Sequence, residues 1–384
     1  MRAFKIFTAA ALAVSLVFLT GCWDYREVED MYIVGGIAID KGTQGHPYRV
    51  TAEVLDLSSG GSEKQSPIKG KVLESEGETV SEAIAALSHR ANKTLYYGDC
   101  KMVIFSRDIA ADGLSGVLDW MNRDPQPRFT IQAYVSQEQT AGEILLKGSP
   151  NGQPITLLIS KAMEKAASYS GKSQAVELYQ LDNFLWGEGQ SATLPDIRFH
   201  RYEDGVEPEL YGTAVFQGDR YIGELDDQES FYFLFITDNN SGGIFLTGEK
   251  PDDKDISLKI RKSSTNVEPV ISGNNIRMKI KIRMETSYDE ECSRKNLLKN
   301  KGIKTIEQYA EKSLVKRAGQ TVDTVQKKYG SDIFGFGRKI YEKDPDLWKK
   351  IKPEWNRHFR DLKCDISAEV VITDTGFAFP KGYE

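Results

Sequence analysis

The sequence predicts an α+β protein of more than one domain, in which mixed and antiparallel sheets carry packed helices and one long helix lies near residues 305–329. Three observations point there. Strand-like alternation and amphipathic helical runs interleave through the first 200 residues. From Leu210 onward strands follow one another directly, as antiparallel neighbours do, and the helices come together later. Within that later part Ile306, Ala310, Leu314, Ala318, Val322, Val325 and Tyr329 recur every three or four residues, which makes one continuous apolar stripe.

The chain opens on a segment that reads as an address. Arg2 and Lys5 precede a run of apolar or small residues, Ile6 to Leu19, which is short of the ~20 residues needed to cross a bilayer. The run ends in Leu19-Thr20-Gly21-Cys22, the pattern of a lipoprotein signal. Residues 1–21 are therefore expected to be a signal peptide. The Cys22 thiol is a nucleophile suited to carry a diacylglyceryl group with palmitate-type chains, and cleavage before it makes it the mature N-terminus. Each buried methylene contributes ~0.8 kcal/mol, so two acyl chains hold stably where one does not. The mature chain is expected on the outer face of a membrane. Phe231 to Ile236, the longest later apolar run, is far too short to add a span.

The elements follow in order. Met31 to Asp40 and Tyr48 to Leu57 flank a turn cluster at 41–47 and read as a hairpin. Ser58 to Gly70, rich in Ser, Gly and Lys, reads as an exposed loop. Thr79-Val80-Ser81-Glu82 is a capping box that starts a helix with Val80, Ala83, Ile84 and Leu87 on its apolar face. A strand at Lys101–Phe105 precedes one helix carrying Ile109, Leu114, Val117, Leu118 and Met121, which Asp124-Pro125-Gln126-Pro127 stops. Phe129 to Val135 alternates as a strand, and helices are expected at about 141–146, 154–169 and 176–186. These elements form an N-terminal α+β domain, 22–200. Charged residues with Gly205 and Pro208 mark 201–209 as a linker. A C-terminal α+β domain, 210–384, then begins. Gly218-Asp219 signals a hairpin, strands are expected at 256–261, 267–271 and 276–286, and Asn274-Asn275 suits the tight turn between the last two. Gly330, Gly335 and Gly337 end the long helix. Two short helices around Leu347 and Trp355, parted by Pro353, and a strand at 365–373 complete the chain.

Composition and motifs exclude more than they assign. A net charge of −6 argues against a nucleic-acid partner and against attachment to membrane through a basic patch. Beyond Cys22, Cys100, Cys292 and Cys364 allow at most one disulfide, and no two of them have metal-ligand spacing. His46, His89, His200 and His358 are scattered, with no H-E-x-x-H. Ser313-Leu314-Val315-Lys316 spells S-x-x-K but lacks its S-D-N and K-T-G partners. The stretch 166–173 has Gly171-Lys172-Ser173 but neither the first glycine nor the preceding strand of a phosphate loop. Gly335-Phe336-Gly337 begins a G-x-G whose third glycine is Ile340. No catalytic site, cofactor or metal is expected.

Cys22-Trp23-Asp24-Tyr25-Arg26-Glu27, followed by 33–40 (IVGGIAID), resembles the mature start of the Ger(x)C lipoproteins. The resemblance continues through Leu95-Tyr96-Tyr97-Gly98-Asp99, the element 118–124, Gly212 to Phe216, Asp332 to Gly337, and Trp348 to Trp355. It implies a non-enzymatic subunit of a spore nutrient germinant receptor, needed for assembly or signalling, on the outer face of the spore's inner membrane. Its implied partners are two integral-membrane subunits, one transporter-like and one multi-pass. Many relatives have a second Arg where Tyr25 stands here. Trp23, Tyr25 and Arg26 are the candidate docking residues, because aromatic and Arg side chains favour interface centres and head groups. The tether from Trp23 to Asp30 spans at most ~29 Å. The alternative is a substrate-binding lipoprotein of a transporter, for which two lobes of parallel strands and crossover helices are expected.

Overall fold

The computed structural model describes residues 30–376 except 57–68, 148–152, 204, 274 and 294, together with Arg2, Ile6 and Glu27. The signal, Cys22, Trp23, Tyr25 and Arg26 lie outside the described residues. Thirteen described strands form two sheets. The first contains β1 (Met31–Lys41), β2 (Tyr48–Asp56), β3 (Lys69–Gly77), β4 (Thr94–Tyr96), β5 (Met102–Ser106), β6 (Gln132–Ser136), β7 (Thr193–Tyr202), β8 (Gly205–Gln217) and β9 (Arg220–Leu225). Their order is β3-β2-β1-β5-β6-β7-β8-β9, with β4 beside the start of β1. The central strands β1, β5, β6 and β7 are parallel, and both flanks are antiparallel.

Helices cover both faces of this sheet. Against one lie α1 (Val80–Arg90), α2 (Arg107–Asp112), α3 (Ser115–Arg123) and a later helix at 178–186. Against the other lie α4 (Gly142–Leu146) and α5 (Ile155–Tyr169), whose Ile144, Leu145, Ile155 and Ile159 meet Met102, Ile104 and Tyr134. A strand buried on both faces reads as a near-continuous apolar run, and every residue of β5 is buried, the polar Ser106 at its end finding its partner in the Ile109 amide of α2. The helix at 178–186 is α6 (Leu178–Trp186).

The second sheet, β10 (Ile244–Thr247), β11 (Ile256–Ser272), β12 (Asn275–Glu291) and β13 (Lys363–Asp374), is covered on one face only. On β12, Met278, Ile280, Ile282 and Met284 are buried while Lys279, Lys281 and Arg283 are exposed, the period-2 pattern of a half-solvated sheet. Two helices lead onto its covered face. One is short, α8 (Leu297–Lys301), and the other is the long α9 (Ile303–Thr324), which runs on as a π turn over Val325–Tyr329. The stripe Leu314, Val322 and Val325 faces this core.

The helix between α6 and α8, α7 (Asp227–Ile236), belongs to both sheets. Ser230 through Ile236 are all buried, against β8 and β9 on one side and β11, β12 and α9 on the other. A helix apolar all round is stable only when surrounded. The apolar run too short to cross a membrane is this shared core. Asp226 and Glu229 cap it reciprocally.

Several expectations are corrected. Residues 201–209 are not a linker but the β7–β8 hairpin, extending the first sheet. Pro208 is tolerated because β9 pairs β8 only from Thr213 onward, so nothing is lost on that side. The helix expected across 109–121 is two, broken at Gly113, whose φ of +120° leaves helical space. Glu82 reaches the Glu78 amide rather than that of Thr79. Strands β3, β4, β7 and β10 were not expected, and β11 runs unbroken through the gap left at 262–266. After α9 come α10 (Phe336–Lys343), α11 (Pro345–Ile351) and α12 (Trp355–Asp361).

Candidate functional site

The motif residues quoted from the sequence gather in two places. Near the start of β1, the rings of Tyr97 and Trp120 meet edge to face with centroids 5.6 Å apart. There the Tyr97 amide donates to the Gln126 side chain and Arg128 lies 3.6 Å from Asp99. Asp30, where the tether enters, borders the same hollow as Asp124 and Gln126.

The second gathering is the joint between the two sheets. Asp332, wholly buried, accepts from the Phe336 amide at 3.1 Å, the Gly337 amide at 2.7 Å and the Trp355 indole at 3.1 Å. It thereby seats the start of α10, whose N-cap Gly335 offers no side chain of its own. Burial raises the Asp332 carboxyl to about 6, against the pull of those donors. Trp355 meets Trp348 edge to face at 5.2 Å. A Cβ at Gly337 would stand 2.7 Å from the Trp348 ring and 2.9 Å from the Gly189 carbonyl, so only glycine lets these segments close.

Residues 188–191 bring the first half of the chain onto this knot. The Trp348 indole donates to Glu188 at 2.8 Å and Lys352 pairs with the same carboxylate at 2.6 Å. The Arg338 amide donates to the Gly189 carbonyl at 2.8 Å, and the Ser191 amide to that of Asp332 at 2.8 Å. The Ser331 hydroxyl lies 2.7 Å from that of Ser191 and 2.6 Å from the Phe216 carbonyl on β8. The Tyr329 hydroxyl donates to the Glu224 carbonyl on β9. The joint therefore uses three quoted motifs: Gly212–Phe216, Asp332–Gly337 and Trp348–Trp355. Glu188 and Ser191 carry no sequence signal of their own, and reasoning from the sequence missed them.

The S-x-x-K and Gly171-Lys172-Ser173 stretches, which resemble catalytic and nucleotide-binding motifs, lie elsewhere. Ser313 is buried against Thr247 while Lys316 pairs with Asp252 at the surface, so the S-x-x-K serves packing. Gly171-Lys172-Ser173 follows α5 instead of opening a helix, and Lys172 pairs with Asp227. His358 is exposed. Among the described residues no three His, Cys, Asp or Glu side chains form a metal-binding group. Cys100, Cys292 and Cys364 are free thiols, and burial pushes that of Cys100 up to about 12. No helix of the described residues is long and apolar enough to cross a membrane.

The profile described as "Spore germination protein N-terminal domain" matches residues 24–199, and "Spore germination B3/ GerAC like, C-terminal" matches 211–376. The two matches part within the β7–β8 hairpin. Spore germination protein KC of Bacillus subtilis is 26% identical over 97% of this chain and 96% of its own. Spore germination protein GerQC of Bacillus cereus is 25% identical over 94% and 96%. A crystal structure of the GerBC protein covers 91% of this chain and all of its own, with a TM-score of 0.54 at 20% identity, a likeness of fold.

Proposed function

The chain belongs to the Ger(x)C family of spore germination proteins, and from that premise we propose that it is a lipid-anchored, non-enzymatic subunit of a nutrient germinant receptor. The observation that carries the proposal is full-length likeness: relatives named for spore germination align along nearly the whole chain, through both sheets. In this reading Cys22 bears the lipid, and Trp23, Tyr25 and Arg26 dock at the membrane surface or on the integral subunits. The partners are one transporter-like and one multi-pass membrane protein, and the chain sits on the outer face of the spore inner membrane. The contacts at the joint tie the two sheets together, which suits a subunit that acts through its partners rather than by turnover of its own.

The substrate-binding alternative gains little support, since the second sheet is a long hairpin with one parallel edge rather than a second α/β lobe. Deletion of the gene, alongside co-purification of the tagged chain with membrane subunits, tests the receptor reading. In a strain without paralogous receptors, the expected result is lost nutrient germination and recovery of both integral subunits. Normal germination with nothing co-purifying overturns it. Mass spectrometry of the mature N-terminus tests the anchor: a diacylated Cys22 is expected, and Cys22→Ala should leave the signal uncleaved.

A further inference from the structure

We propose that the cleft where the end of α5 meets α7, β10 and α9 binds a small monocarboxylate with an aromatic or branched apolar body. The cleft holds about 350 Å³ and continues past Arg317 into a polar bay of about 310 Å³. That is the size of small-molecule sites, which pair apolar walls with a few converging polar groups. Its walls are Phe231 and Tyr232 of α7, set edge to face at 5.3 Å, with Ile244 and Leu246 of β10. Tyr169 stands at the rim, 76% exposed, and Ile244 is 43% exposed, large apolar surface left in water without an internal partner.

The charges select the ligand. Arg317 is held in place by neutral oxygens only: its Nη1 donates to the Tyr232 hydroxyl at 3.0 Å and the Leu246 carbonyl at 3.3 Å. Among the described residues neither Arg317 nor Lys254 has a carboxylate at ion-pair distance, in a chain that carries an excess of acid. The cations beside them are all matched, Lys172 by Asp227 and Lys316 by Asp252. Glu229 and Asp252 line the bay as well, Glu229 with one oxygen on the Asp226 amide and Asp252 on Lys316 with its charge reaching Arg317 through space. An oriented guanidinium with unused donors, an unpaired ammonium and an apolar wall suit one carboxylate on an apolar body. The carboxylates of the bay, Glu229 and Asp252, lie on the far side of Arg317 from the apolar wall, so the site takes the ligand's carboxylate between Arg317 and Lys254. Tyr169 and Lys172 come from the first half of the chain and Arg317 from the second, so an occupant touches both.

The test is ligand-observed NMR titration of the full-length chain in detergent with 3-phenylpropionate, 3-phenylpropan-1-ol and phenethylamine. A ligand of that size is expected to bind with a Kd of about 1 mM. The acid should bind at least about tenfold more tightly than the alcohol or the amine. Lys254→Gln should weaken the acid and leave the alcohol unchanged. Ile244→Glu, at the 43% exposed start of the edge strand β10, should abolish acid binding by placing a carboxylate at the mouth, with an unchanged circular dichroism spectrum showing that the sheet is kept. Equal binding of acid and alcohol, acid binding indifferent to both substitutions, or no binding of the acid at 10-fold above that concentration, about 10 mM, overturns the proposal. The measurement uses the isolated chain, so its outcome is separate from that of the receptor reading.

Discussion

Helices α5 beside the first sheet and α10 beside the joint start without a capping side chain of their own, and α4 has only the Thr140 hydroxyl, 3.3 Å from the Glu143 amide. Their free amides are taken by buried carboxylates, but from different distances. Asp40 on β1 receives the amides of Ala141 and Gly142 at 2.6 and 2.8 Å, about a hundred residues on. Glu53 on β2 receives those of Ile155 and Thr156 at 2.8 and 2.9 Å, and the Thr156 hydroxyl at 2.5 Å. Asp332 serves Phe336 and Gly337, four and five residues on. In the first half α4 and α5 draw on distant carboxylates through tertiary structure, whereas α10 in the second is served by a carboxylate close in sequence, whose remaining bond goes to Trp355. Loss of a carboxylate in the first half should therefore release a helix from a sheet, and loss of Asp332 should loosen the joint.

The largest effect is expected at Glu53, which is 3% exposed. Glu53→Ala strands three buried donors, each costing about 1–3 kcal/mol when left unsatisfied, for a total near 4 kcal/mol. Urea denaturation reads it, and hydrogen exchange should show the loss concentrated in α5. A loss spread evenly over both sheets would break the distinction between borrowed and local caps. Asp332→Ala also strands three donors, about 3 kcal/mol. Its signature differs: the Trp348–Trp355 pair should change its near-ultraviolet circular dichroism, which Glu53→Ala should leave in place in its folded fraction.

The pH dependence sharpens the same contrast. An unfolded Asp ionises near 3.8, whereas folded Asp332 holds its proton to about 6 because burial penalises the charge. Between those values the folded state binds a proton that the unfolded state has released. The contribution is complete below about pH 4 and is lost as pH rises through about 6, some 3 kcal/mol in total. The stability of the wild-type chain should fall over this window relative to Asp332→Asn, whatever that variant's absolute stability. Asp40, also raised by burial, is common to both proteins and cancels in the difference. Parallel curves would place the titration elsewhere.

What could be read from the chain follows the same division. Contacts close in sequence leave a pattern, so the hairpin of β1 and β2, the start of α1 at Thr79 and the stripe of α9 were all legible. Leu314 is fully buried and Val322 nearly so, and Leu314→Ala is expected to cost about 2–4 kcal/mol. Asp40 and Glu53 were not legible as caps, because each sits within a strand and its partners lie a hundred residues away. The β7–β8 hairpin was hidden for a related reason. Its charge, Gly205 and Pro208 are those of a linker, and only pairing to the sheet tells the two apart. The shared helix α7 gave no helical period because every side of it is buried. The motif residues of the joint were visible as a resemblance, but their meeting with Glu188 and Ser191 was not.

The smallest expected effect lies at the rim of that joint. Lys352 and Glu188 form a 2.6 Å ion pair, with side chains 55% and 38% exposed. Lys352 and then the Trp348 indole hold the Glu188 carboxyl below its ordinary value. Solvent screens such a pair, and holding two long side chains in one geometry costs rotamer freedom, so double-mutant cycles of exposed pairs return ~0.2–1 kcal/mol. Lys352→Met should shift stability by no more than about 0.5 kcal/mol, and less in 1 M salt, where screening shortens to ~3 Å. Glu188→Ala should cost more, about 1 kcal/mol or above, because it also leaves the indole N–H of the buried Trp348 without an acceptor. If Lys352→Met matched Glu188→Ala and both vanished in salt, the joint would be held by surface charge. A salt-resistant loss in Glu188→Ala alone would tie the two halves together through the buried Trp348–Trp355–Asp332 chain of contacts.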